Sequence, residues 1–133
     1  MPTEWRLSIQ SDTDIVTARQ RGRTLAEQVG FPSVEQTLIA TAISELARNI
    51  AIYAQIGEIV LRLERVRGQR GLTVIARDEG PGIRDIAEAL QDGYSTSHSL
   101  GLGLPGTRRL MDEFEIVSEM GKGTTVTTRK WRQ

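Results

Sequence analysis

The chain has 133 residues, 38% of them hydrophobic, with 17 basic and 17 acidic side chains and no cysteine. That length suits one domain spanning 1–133, and the balanced charge supplies no general attraction for nucleic acid or an anionic membrane surface. Disulfide frameworks, thiolate metal sites and thiol nucleophiles are excluded; with no apolar run of about 18 residues and no leader pattern, a soluble, unexported, cytoplasmic protein is expected.

Trp5 to Ile9 alternates apolar and polar residues as a half-buried strand does, and Ser11-Asp-Thr-Asp14 supplies capping residues for a first helix over about Thr13 to Val29, stopped by Gly30. Arg19, Arg21 and Arg23 form its solvated side. Pro32-Ser33 opens a second helix, Ser33 and Gln36 match a capping box, and Leu38, Ala42, Ile43, Leu46, Ile50 and Tyr53 carry the pattern to about Ala54. Glu58 to Val66 and Leu72 to Arg77 read as antiparallel strands joined through Gly68-Gln-Arg-Gly71. Gly80-Pro-Gly82 breaks the chain, a short helix is expected near Asp85 to Gln91, and the polar stretch from Asp92 to Gly103 is a candidate lid. Leu104 to Met111 suggests a helix, followed by strands over Glu115 to Glu119 and Thr124 to Lys130. Early helices and strands arriving as hairpins predict an α+β, two-layer sandwich, with helices on one face of a mixed, mainly antiparallel sheet.

Four motifs carry the chemistry. Glu45 and Asn49, four residues apart, share one helix face. A lone pair of this kind is most often structural, but an amide oxygen suits Mg2+ and a carboxylate can accept a hydroxyl proton. Arg48 lies about 100° around the helix from Asn49 and supports the pair rather than joining it. Asp78-Glu-Gly80-Pro-Gly82 follows an apolar strand; it is either a plain strand exit, with Asp capping the turn, or a site where the carboxylate accepts from an exocyclic amine while Gly80 and Gly82 admit a flat base. Adenine has that amine. Gly101, Gly103 and Gly106 form a glycine turn entering a helix, an arrangement whose backbone N–H groups favour anions. It follows a polar loop rather than a strand, so it is not a dinucleotide fingerprint. Gly121-Lys-Gly-Thr-Thr125 is a hairpin turn with two candidate hydroxyls.

In that order, these elements resemble the boxes of the Bergerat-type (GHKL) ATPases, which include gyrase, Hsp90, MutL and the histidine kinases. The compact length, Ile43-Ser-Glu-Leu-Ala-Arg-Asn-Ile50 and Leu104-Pro-Gly-Thr-Arg-Arg-Leu-Met-Asp-Glu-Phe114 look most like the stressosome switch kinases. The resemblance implies a protein serine/threonine kinase using ATP and Mg2+, phosphorylating STAS-domain proteins and activating a PP2C-type phosphatase by binding. The alternative is a non-catalytic nucleotide-binding anti-sigma or phosphatase-activating module. The family pattern makes Glu45 the general base and Asn49 the Mg2+ ligand. Asp78, with Gly80 and Gly82, reads adenine; Gly101, Gly103 and Gly106 are the phosphate lid. Thr124 stands for the threonine on the adenine side, with Thr125 also open. Related kinases carry an arginine just before the lid glycines, where this chain has Ser97-His-Ser-Leu100. His98, the single histidine, is expected to be solvated rather than catalytic.

Overall fold

Each helix is delimited by local chemistry that the side chains dictate. The computed structural model describes residues 3–81 and 103–133. Strand β1 spans Glu4–Ile9, and helix α1 follows over Asp12–Val29. Ser11 caps α1, its hydroxyl accepting from Asp14 N–H at 3.4 Å, while the Asp14 carboxylate accepts from Gln10 N–H at 2.9 Å. Gly30, at φ 101°, closes the helix by donating to the Ala26 and Glu27 carbonyls. Helix α2 spans Ser33–Asn49, but the expected capping box does not form. Pro32 occupies the cap position, so Ser33 is already inside the first turn, and Gln36 donates its amide to the Phe31 carbonyl at 2.9 Å instead.

Beyond Asn49 the helix widens into a π turn over Ile50–Ala54, closed by Gln55 N–H donating to the Ile50 carbonyl at 2.8 Å. Strands β2 (Gly57–Val66) and β3 (Gln69–Asp78) form a hairpin. Its turn is shorter than expected: Arg67 and Gly68, both at positive φ, suffice as a two-residue connection, so Gln69 and Arg70 join the strand. Helix α3 (Gly103–Leu110), β4 (Glu113–Glu119) and β5 (Gly123–Trp131) complete the described chain.

The sheet runs β1-β2-β3-β5-β4, and every pairing is antiparallel. Its inner face and the helices enclose one core, in which Ile39, Ile43, Leu46 and Ile50 meet Ile59, Leu61, Leu72 and Val74, none more than 2% exposed. Each such side chain contributes about 1.5–3 kcal/mol of hydrophobic stabilisation. α1 and α2 approach closely at Gly22, where an added Cβ would lie 2.0 Å from Ile43 Cδ1. The outer face carries ion pairs, with Arg6 and Arg77 both on Glu58 Oε1 and Arg62 on Glu4, while Val60 and Ile75 on the same face are buried. Gly82, Gly101, His98, the expected short helix and the lid segment up to Leu102 lie outside the described residues, while Gly103, its expected last residue, begins α3.

Candidate active site

α2 brings Glu45 and Asn49 to the C-terminal end of the helical layer. Glu45 is buried, 5% exposed, and Arg48 Nη1 donates to its Oε1 at 3.2 Å. Arg48 therefore supports the carboxylate, as the helix geometry suggested. Asn49 is half-buried, and among the described residues its carboxamide makes no hydrogen bond. The π turn comes next. Its Ala54 sits where a Cβ on Gly80 would approach to 2.7 Å, and its Ile50 where one on Gly57 would approach to 2.6 Å. Asn49 thus leads directly into a turn packed against the exit of β3. At Gly80 this packing already demands glycine, before any flat ligand is considered.

Asp78 ends β3 on the inner face. Its Oδ1 accepts from Gly80 N–H at 2.9 Å and from Thr124 N–H at 3.3 Å. The turn-capping role is real, yet it occupies one oxygen only; Oδ2 has no partner among the described residues. Register places Gly57, Asp78, Thr124 and Ser118 side by side across four strands. The pleat puts Thr124 on the face of Asp78 and turns Thr125, opposite Arg77, to the outer face. The Thr124 and Ser118 hydroxyls lie 2.8 Å apart. Gly123, at φ 114°, passes so close to β3 that a Cβ would fall 2.1 Å from the Asp78 carbonyl oxygen. An open cleft of about 590 Å³ at this end of the sheet reaches its outer face, lined by Arg6, Ser8, Glu58 and Arg77 as well as by Ala54, Ile56, Gly57, Asp78 and Glu79.

α3 packs against α2, and its Gly106 is buried. Lys130 Nζ on β5 donates to the Leu110 carbonyl at 2.9 Å, fixing the C-terminal end of α3, the helix that begins at Gly103. The structure therefore assembles Glu45, Asn49, Asp78, Gly80 and Thr124 around the helix–sheet junction, with Gly103 and Gly106 on the adjoining helix. Gly57 and Ser118 stand at the same end of the sheet and escaped the sequence reading, which took Gly123 only as the glycine of a hairpin turn. Gly123 had a signal, the glycine directly before Thr124; Gly57 and Ser118 become visible only through register. Among the described residues no three His, Cys, Asp or Glu side chains cluster to cage a metal. One amide oxygen at Asn49 suits Mg2+, which keeps waters and takes its other ligands from phosphates.

Comparison with known proteins defines the family and the fold. A family model described as the histidine kinase-like ATPase domain matches residues 10–130, and the chain belongs to that family. Among its relatives, the serine/threonine-protein kinase RsbT of Bacillus subtilis (strain 168) is 53% identical over 123 residues, 92% of each chain. An anti-sigma F factor of Caldanaerobacter subterraneus subsp. tengcongensis is 36% identical over 107 residues, 75% of this chain and 73% of the relative. The crystal structure of the RsbU and RsbW domains of Rv1364c from Mycobacterium tuberculosis superposes on all of this chain with a TM-score of 0.64 at 21% identity, the match spanning 34% of that longer chain. This shared fold is the two-layer arrangement expected from the sequence. No helix among the described residues is long and apolar enough to cross a membrane.

Proposed function

We propose that this chain is an ATP-dependent serine/threonine protein kinase of a partner-switching system. The observation that carries the reading is the junction itself: Glu45 and Asn49 on one helix face run through a π turn into the Asp78 strand exit. That continuity supports reading Asp78 as the base-reading carboxylate and Glu45 with Asn49 as the phosphate-end pair of one site. The family match and the kinase named among the relatives support it. Asp78 Oδ2 accepts from the adenine amine, Thr124 stands beside it, and Gly80 and Gly82 shape the approach to the base. Gly101, Gly103 and Gly106 offer backbone N–H groups to the phosphates. Mg2+, held by Asn49 together with the phosphates, supplies charge neutralisation.

A hydroxyl oxygen of the acceptor protein attacks the γ-phosphorus, the bond from that phosphorus to the bridging oxygen breaks, and ADP leaves with the electron pair. The hydroxyl proton passes to the Glu45 carboxylate. Positioning and electrostatics carry most of such a reaction, and a general base adds about 10²- to 10⁴-fold. The acceptors are STAS-domain proteins, a PP2C-type phosphatase is a second partner engaged by binding, and the setting is the ATP-containing cytoplasm.

The test is transfer of label from γ-labelled ATP to recombinant STAS-domain proteins, with the phosphorylated residue mapped. Labelling of a serine or threonine is expected. ATP binding with no labelling of any acceptor would replace the kinase by a nucleotide-gated interaction module, of the kind the anti-sigma relatives make plausible.

A further inference from the structure

Glu45 is flanked on the α2 surface. At about 100° per residue, Asn49 lies about 40° to one side of it and Arg48 about 60° to the other. The carboxylate is buried, whereas the Arg48 side chain is 37% exposed and reaches the carboxylate with one nitrogen, Nη1, at 3.2 Å. A guanidinium carries five N–H donors in a planar fork, and among the described residues Glu45 is the partner recorded for it. The remaining donors of a fixed cation therefore sit beside the atom that receives the acceptor's proton. That proton comes off an oxygen attacking the terminal phosphorus, so the terminal phosphate must come within a few ångströms of Glu45 if the carboxylate acts as base.

We propose that Arg48 is a terminal-phosphate residue: held by Glu45, it presents its free N–H donors to the γ-phosphate of ATP and to the charge that develops there during transfer. The inference rests on the kinase reading of the preceding subsection and deepens it by naming the protein cation of the phosphate end. Asn49, which would hold the metal, stands on one side of Glu45, and Arg48 stands on the other. A planar fork matches phosphate oxygens better than an ammonium does. The competing account is purely structural, since an arginine in the last turn, paired with an acid three residues earlier, favours any helix.

The two accounts separate on the difference between di- and triphosphate. Binding of ADP and of the β,γ-imido analogue of ATP, both with Mg2+, should be measured for the wild-type chain, Arg48→Met and Arg48→Lys, alongside melting curves and phosphotransfer to a STAS-domain acceptor. In Arg48→Met the triphosphate analogue should bind about tenfold more weakly or worse, ADP should bind as before, and turnover should fall about 10²- to 10³-fold. Arg48→Lys should recover part of the triphosphate affinity but less of the turnover. Equal weakening of ADP and the analogue, or unchanged turnover, overturns the proposal and leaves Arg48 a helix-stabilising partner. ADP binding in Arg48→Met also reports that the variant is folded. If the wild-type chain binds neither nucleotide, or binds both yet labels no acceptor, the kinase reading fails first and the role of Arg48 with it.

Discussion

Asp78 uses one oxygen for structure, and the proposed function gives the other to recognition, so a substitution can separate the two. Asparagine keeps an acceptor for Gly80 and Thr124 N–H but replaces the second oxygen by a donor. Asp78→Asn is therefore expected to melt near the wild-type temperature while binding ATP at least about tenfold more weakly, measurable by calorimetry and a thermal scan. Glu45→Gln should bind ATP normally and lose phosphotransfer; undiminished kinase activity would remove Glu45 from the chemistry. Gly123→Ala should act on folding instead. Its φ of 114° and the 2.1 Å approach to the Asp78 carbonyl leave no room for a methyl group, and a loss of about 2–3 kcal/mol in urea unfolding is expected. At the outer face, a hydrogen bond from Arg62, then the charges of Arg62 and Arg6, hold the Glu4 carboxyl below its ordinary value of 4.5. Stability from this pairing is complete above pH 4.5 and lost as pH falls through the lower folded value. The stability difference between wild type and Arg62→Met should therefore shrink on acidification.

At the scale of elements, the strands and the two long helices were legible because their apolar residues repeat at the spacing of the element. The π turn was not. Ile50 and Tyr53 continue the apolar pattern of α2, and nothing in that pattern records that the hydrogen bonds lengthen from four residues to five after Asn49. Yet this turn sets where Asn49 stands relative to Asp78, so the acid–amide pair was readable and its placement was not. Gly57 shows the same limit: its need for glycine comes from Ile50 and the Arg77 carbonyl, which lies on another strand. The β2–β3 connection was misjudged because Gly68 and Gly71 both look like turn residues, while Gly71 is in the ladder opposite Glu64 and Trp131. A two-residue turn with positive φ at both positions prefers Asn-Gly. Arg67→Asn is expected to raise stability by about 0.5–1 kcal/mol, seen as a higher denaturation midpoint at constant slope.

For the whole molecule, a ligand spanning α2, the π turn, β3 and α3 would add contacts between elements that already pack on one another. Saturating Mg-ATP, at about a hundred times its dissociation constant, should stabilise the fold by about 2.7 kcal/mol, a melting shift of roughly 10 °C for a domain of this size. A chelator should remove most of that shift, and Asp78→Asn, binding at least about tenfold more weakly, should show about half of it or less at the same ATP concentration.

The strand order β1-β2-β3-β5-β4 leaves β1 and β4 at the two margins of the sheet. With a formal net charge of zero, the chain has no long-range repulsion to keep copies apart in a crowded solution. Keeping those margins from templating a neighbour's backbone falls to local guards: Glu4 and Arg6 on β1, and Glu113, Glu115 and Glu119 on β4. Replacing the β4 glutamates by threonine, with Arg19, Arg21 and Lys122 replaced by glutamine to hold the net charge at zero, would retain strand-forming character and remove the guard, so loss of colloidal solubility is expected to precede any loss of fold.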